Sequence, residues 1–229
     1  MTDLQDTPLT ADRLSYQLEL AIHEHRIAPG TKLGEDEIGE IYGVSRTIVR
    51  AALQSLAHQR LVALRRNKGA YVAQPTVKEA REVFEARALL EPRTAHSAAK
   101  RINDEQIAGL QAHIDAEHAA THEGDHGRAL YLSGQFHIEI ARIADQETIA
   151  AFIQQLISRS SLIIALYWQR RSALCESNAH HALMKAFIDR NADHAQELMK
   201  SHLVDLMTSL DLRNITAAPT TLRDALVRE

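Results

Sequence analysis

The chain has 229 residues, room for one large domain or two smaller ones, and its 45% hydrophobic content is that of a globular protein. Aromatic residues make up only 4%, so the core must be aliphatic, and the single cysteine, Cys175, excludes an internal disulfide and a cysteine-based metal cluster. A formal net charge of −4 excludes a uniformly basic protein, so any affinity for nucleic acid has to sit in a local patch.

The N-terminal M-T-D-L-Q-D-T lacks the basic and apolar regions of a secretory signal, and no apolar run is long enough to span a bilayer; a cytoplasmic protein without membrane association is expected. Residues 10–25 carry one apolar stripe, Leu14, Leu18, Ala21 and Ile22, and read as a helix capped by Thr10 or Asp12 that packs under the helix beginning at Arg46. Ala28-Pro29-Gly30-Thr31 is a turn. Residues 36–42 form a short helical pattern with Ile38 and Ile41 on one face. Gly43 is placed to end that helix in the left-handed conformation, Val44 to fill the corner, and Ser45 to cap the next helix through its hydroxyl. That helix runs from Arg46 to about Gln59 and buries Val49, Leu53 and Leu56. Two helices joined by a tight glycine turn are the helix-turn-helix pattern, whose second helix can enter the DNA major groove.

Val62 and Leu64, then Tyr71 and Val72, suit two short strands, and Asn67-Lys68-Gly69 between them is hairpin chemistry. From Arg46 to Pro75 the charged residues are Arg46, Arg50, Arg60, Arg65, Arg66 and Lys68, with no Asp or Glu. A helical hairpin and a surface β-hairpin in solvent would explain the pattern, but the basic tip directly behind the second helix favours a wing lying on DNA.

Gln74-Pro75-Thr76 is the expected boundary, giving a DNA-binding domain over 1–75, a helical domain over 76–213 and a loose tail over 214–229 that contains Pro219 and repeated Thr. The helices expected in the second domain are 76–101, with Val83, Ala86, Leu89 and Leu90 apolar and a kink at Pro92, then 103–123, 126–144, 146–171, 177–190 and 192–213. The fourth is apolar almost all round near Leu162–Trp168 and should be central. The fold class is therefore mainly α: a winged helix-turn-helix of three helices plus a β-hairpin, followed by an antiparallel bundle of about six helices.

Ten of the 13 histidines follow residue 75. His180 and His202 are nearly equidistant from the turn at Asn191-Ala192-Asp193, so an antiparallel hairpin would set them face to face, with His137 arriving from a third helix. On spacing alone, ordinary buried or surface histidines explain this more economically than a Zn²⁺ or Ni²⁺ site does.

Three stretches, P-G-T-K-L at 29–33, G-V-S-R-T-I-V-R at 43–50 and N-K-G-A-Y-V at 67–72, resemble the winged helix-turn-helix of the GntR regulators. The resemblance implies DNA contacts from Ser45, Arg46, Thr47 and Arg50 on the recognition helix and from Lys68 and Gly69 on the wing; from the charge of the basic tip, Arg66 is expected to contact phosphate or the minor groove beside Lys68. Ile48, Ala51 and Arg60 depart from residues common in the family (Pro, Glu and Gly), and Asp36 stands where some members carry a basic contact residue, so it is not counted as one. The rest of the chain, through E-A-R-A-L-L-E-P at 85–92, F-H-I-E-I-A at 136–141 and the His180/His202 pair, is similar to the helical FCD effector domain of one GntR branch. That similarity implies one divalent metal, Zn or Ni, on His137, His180 and His202. The family's further Asp ligand, one turn before the first His, is Ser133 here, leaving a place for water or an effector oxygen. Arg87 is implied either to clamp a carboxylate effector or to pair with a core Glu such as Glu91. The implied protein is a homodimeric repressor of a double-stranded operator that responds to a small organic acid or sugar acid. No H-E-x-x-H, G-x-S-x-G, P-loop or G-x-G-x-x-G occurs, so an enzyme is not expected. A metal-dependent hydrolase or a helical scaffold are the competing classes, and neither gives the basic winged segment a role.

Overall fold

A computed structural model describes residues 9–168, 174–213 and 221–227, with the side chains of 174–178 left undescribed. The Cys175 side chain, residues 169–171 of the expected fourth bundle helix, and residues 214–220 and 228–229 of the expected tail lie outside this description. The chain divides into two compact units, Met1–Gln74 with Ala218–Glu229, and Pro75–Ala217.

In the first unit, α1 (Ala11–His23) is capped by Thr10, whose side chain accepts from Arg13 N–H. It packs on α3 (Arg46–His58), as its stripe predicts, through fully buried Leu14, Leu18, Val49 and Leu56. Between them α2 (Glu35–Tyr42) ends at Gly43 in the left-handed conformation, φ 64°. A side chain at Gly39 would begin 3.0 Å from the Val44 carbonyl oxygen, which is why the turn into α3 can be so tight. Ser45 has the extended backbone of an N-cap but makes no side-chain cap bond, contrary to the expectation. After α3 the chain reverses at Arg60, φ 61°, with Leu61 N–H returning to Leu56 C=O at 3.0 Å. The family's glycine would suit that conformation; this chain holds an arginine in it.

The sheet has three strands rather than two. β2 (Val62–Arg65) and β3 (Gly69–Val72) form the hairpin, and β1 (Lys32–Leu33) adds to β3's other edge, in the order β1-β3-β2, all antiparallel. Two residues are too short a stretch to show a period in sequence, which is why β1 was not expected. Asn67 and Gly69 both have positive φ, as the hairpin reading requires. Residues 221–227 are not a loose tail: α10 (Leu222–Leu226) packs on α2, Leu222 and Ala225 are buried, and Ala225 C=O accepts from Arg26 Nη1 at 2.8 Å.

The second unit contains the six expected helices: α4 (Val77–Arg101), α5 (Asp104–His122), α6 (His126–Ile143), α7 (Glu147–Tyr167), α8 (Leu174–Ile188) and α9 (Ala192–Thr208). Thr76 and Glu79 close a reciprocal capping box on α4, which runs unbroken as helix through Pro92. Its buried face is offset from the expected one. Leu89 is 72% exposed, while Val83, Phe84, Arg87, Glu91 and Ala95 face inward. A purely apolar stripe could not reveal this, because Arg87 and Glu91 are buried as a mutually satisfied pair. The main core joins α4, α5, α6, α8 and α9 around Phe136, Ile140, Leu183, Phe187 and Leu203. Gly134 lets α6 approach α7 closely; a side chain there would start 2.9 Å from Ile157. The expectation that no apolar run could span a bilayer fails on α7, which is long and apolar enough by composition. Here it serves as a bundle helix, with Ile153, Leu162, Ile163 and Leu166 buried and contacts to α4 and α6.

Candidate nucleic-acid interface and metal centre

In the first unit the structure leaves Ser45, Arg46, Thr47 and Arg50 exposed at the start of α3, and Arg65, Arg66, Lys68 and Gly69 exposed at the hairpin tip. The tip is ordered by the Lys68 N–H to Arg65 C=O bond of 3.0 Å and by the Arg65 guanidinium, 4.4 Å above the Tyr71 ring. Sequence reasoning missed the partners of the two recognition-helix arginines. Arg50 forms a two-pronged pair with Glu35, Nε to Oε1 at 3.1 Å and Nη2 to Oε2 at 2.7 Å. Arg46 Nε contacts Asp36 Oδ1. The hydrogen bond from Arg50 outweighs burial, which pulls the other way, and with the charges of Arg50 and Arg46 it holds the Glu35 carboxyl below the usual range.

In the second unit the structure brings His137 of α6, His180 of α8 and His202 of α9 together. Their ring centroids form a near-equilateral triangle with sides of 5.4, 5.2 and 5.2 Å. One nitrogen from each lies within 4.8 Å of the others, and all three residues are buried. The α8–α9 hairpin does set His180 against His202, because Arg190 turns at φ 51° and Asn191 caps α9.

Two acidic residues stand behind the triangle. Glu117 of α5 lies 2.9 Å from His180 Nδ1, and Glu91 of α4 lies 2.7 Å from His137 Nδ1. The Glu91 approach is close but poorly aligned for a hydrogen bond. A carboxylate only accepts, so each contact favours the proton on Nδ1 and leaves Nε2 with a lone pair. His180 Nε2 is buried with no hydrogen-bond partner, and His137 Nε2 lies 3.2 Å from His202 Nε2. Two imidazole nitrogens on one tetrahedral zinc ion would be roughly 3.3 Å apart, given Zn–N of about 2.05 Å. The donor set, its outer carboxylates and the orphaned nitrogen all fit a divalent ion. These three histidines could hold one.

Burial pushes the His137 imidazole below its ordinary pKa against the pull of Glu91, and it pushes His202 well below, with His137 and His180 adding to the effect. Burial raises the Glu91 carboxyl, but Arg87 and His137 outweigh it and hold it well down. Arg87 is paired with the expected core Glu: Nε donates to Glu91 Oε1, Nη2 to Glu91 Oε2 at 3.3 Å and Nη1 to Ser160 Oγ at 3.1 Å. Ser133 is buried on α6, one turn before His137. Glu117 had no sequence signal: a single Glu on an otherwise unremarkable helix becomes visible only when α5 meets α8.

Compared with known families, residues 10–72 match the bacterial regulatory proteins of the gntR family, and residues 82–205 match the FCD domain. The chain belongs to the GntR family and carries an FCD domain. The regulator is 28% identical to the Uxu operon regulator of Haemophilus influenzae over 88% of this chain and 82% of that protein. It is 26% identical to the Nta operon transcriptional regulator of Aminobacter aminovorans over 80% of this chain and 86% of that one. Its fold matches a GntR regulator from Rhodococcus sp. RHA1 with a TM-score of 0.78 at 23% identity, over 86% of this chain and 95% of that one. It also matches E. coli McbR/YncC with a TM-score of 0.77 at 18% identity, over 91% and 97%. The regulator is thus a transcriptional regulator, and its family is not one of enzymes.

Proposed function

We propose that the regulator is a cytoplasmic repressor that binds a palindromic operator as a homodimer and changes its affinity when a small carboxylate metabolite enters the helical unit. One observation carries the DNA half: Gly43 turns α3 so that Ser45, Arg46, Thr47 and Arg50 are exposed at its first turn, and a basic hairpin tip of Arg66, Lys68 and Gly69 follows. In such modules the start of the second helix meets base edges while the wing meets phosphate or the minor groove. Dimerisation is supported by large apolar side chains left in solvent on the second unit, Leu89 of α4 and Phe152 of α7, 72% and 53% exposed.

For the effector half, His137, His180 and His202 hold Zn²⁺ or Ni²⁺, with Glu117 and Glu91 fixing the rings and Arg87 holding Glu91 in place. The ion, when bound to three neutral imidazoles, would supply a positive charge, only partly offset by Glu117 and Glu91 behind the rings, to which a carboxylate oxygen could bind near Ser133. Arg87 is committed to Glu91 and Ser160, so it acts as support for the site and not as a clamp on the effector. The test is a gel shift on genomic fragments enriched by the purified protein. Arg46→Ala and Arg50→Ala should each abolish selective binding while melting like the wild type. Wild-type binding by both variants would overturn the recognition-helix assignment.

A further inference from the structure

The α2 helix meets the DNA-binding surface with the wrong sign of charge. Its first turn carries Glu35, Asp36 and Glu37, yet Glu35 and Asp36 do not stand apart from the basic face: they hold the two arginines expected to read DNA. Both arginines are engaged from the same side, through Nε, and on Arg50 through Nη2 as well. A guanidinium presents paired donors on two edges, Nε with Nη2 and Nη1 with Nη2. Occupying the Nε side leaves the outer edge, Nη1 with a hydrogen of Nη2, for another planar pair of acceptors. The O6 and N7 atoms of guanine in the major groove are such a pair. The side chains of Arg46 and Arg50 remain 70% and 62% exposed, so the ion pairs leave both arginines largely in solvent.

The same contacts subtract charge. A free arginine on the recognition helix would bind any phosphate, and phosphate contacts carry no sequence information. An arginine already neutralised by a carboxylate gains little from a phosphate, and that phosphate is repelled by the neighbouring carboxylate. A guanine edge is uncharged and takes two donors without displacing the carboxylate.

We propose that Glu35 and Asp36 are positioning residues that set operator selectivity, holding Arg50 and Arg46 by their Nε side so that the outer edges read guanine and phosphate binding is suppressed. The proposal rests on the DNA-binding reading above. Asp36 thereby has a use at a position where the sequence offers no contact residue: it orients a neighbour's contact.

The experiment uses the full chain and isosteric variants Glu35→Gln and Asp36→Asn, made separately so that misfolding of one leaves the other to decide. Binding is measured by fluorescence anisotropy on a genomic fragment enriched by the wild type and on a shuffled duplex of equal length and composition, across a salt series, with melting temperatures taken alongside. Each variant should bind the shuffled duplex more tightly, by roughly eightfold at 0.1 M salt, with a salt slope steeper by about 0.9, the increment of one added phosphate contact. Affinity for the enriched fragment should rise less or fall, so the selectivity ratio drops. Unchanged affinity and slope on the shuffled duplex would overturn the proposal. An equal rise on both duplexes would also overturn it, since the carboxylates would then only subtract charge. A wild type that does not distinguish the two duplexes would overturn the DNA-binding reading itself, and the proposal with it.

Discussion

His202→Ala is the cleanest perturbation of the histidine triangle. Removing His180 would strand Glu117, which is 4% exposed and paired to it, whereas His202 Nε2 faces only the neutral His137 ring at 3.2 Å. In the metal-free protein, the His180 nitrogen without a partner costs about 1–3 kcal/mol, the usual penalty for a buried unsatisfied polar group. A bound ion removes that penalty and ties three helices together. Zinc at a hundred times its dissociation constant should stabilise the wild type by about 2.7 kcal/mol through mass action alone. For a chain of this size, 2–4 °C per kcal/mol translates that into a rise of roughly 5–11 °C in Tm. Thermal melts at pH 7.5 with zinc, with nickel and with chelator give the shift directly, and elemental analysis gives the stoichiometry. His202→Ala should melt lower than the wild type without metal and lose most of the metal-dependent rise. If the wild type shows no shift, or His202→Ala shows the full one, the triangle does not hold the ion.

Acid should destabilise the metal-free regulator from about pH 6.5 downward, because His137 and His202 have folded pKa values below the ordinary 6.5. In that window the unfolded chain binds more protons than the folded one, so stability falls as pH falls, by up to about 1.4 kcal/mol per pH unit for each histidine. Glu91, held below its ordinary 4.5, adds a loss in the same direction at lower pH. Urea melts at pH 7.5, 6.5 and 5.5 check this, and His202→Ala should flatten the upper part of the curve. Arg60→Gly should raise stability by about 0.5–1 kcal/mol, since Arg60 sits at φ 61° where glycine carries no steric penalty; a fall in chemical-denaturation midpoint would refute the account of that helix end. Lys68→Ala and Arg66→Ala should each weaken binding to all duplexes alike and flatten the salt slope by about 0.9. A change in base preference at constant slope would place the tip in the wrong groove.

What the sequence discloses follows the range of the forces involved. Gly43, Asn67, Gly69, Thr76 and Asn191 act on their own neighbours, and each terminates, caps or turns the chain as its chemistry dictates. The facing of His180 and His202 needed only an antiparallel hairpin, so their distances from Asn191 foretold it. Partners drawn from separate elements were not legible. Glu35 meets Arg50 fifteen positions away, Glu117 meets His180 across sixty-three, and Arg87 meets Ser160 across seventy-three. The inward turn of Arg87 and Glu91 also defeated the apolar stripe read for α4, because a pair that neutralises itself can occupy a core position that hydrophobicity alone would give to Leu89.

The docking of α10 on α2 makes the first unit discontinuous along the chain. A fragment ending at Gln74 would keep the helix-turn-helix and wing but lose Leu222, Ala225 and the carbonyl that Arg26 holds at 2.8 Å. Such a fragment is a different folding unit from the one in the intact regulator, and its DNA affinity is a poor proxy for the whole. Direction of unravelling follows too. A processive protease pulling on the chain from beyond residue 227 would peel α10 from α2 before reaching any bundle helix, so degradation from that end would strip a piece of the DNA-reading unit while the histidine triangle was still folded.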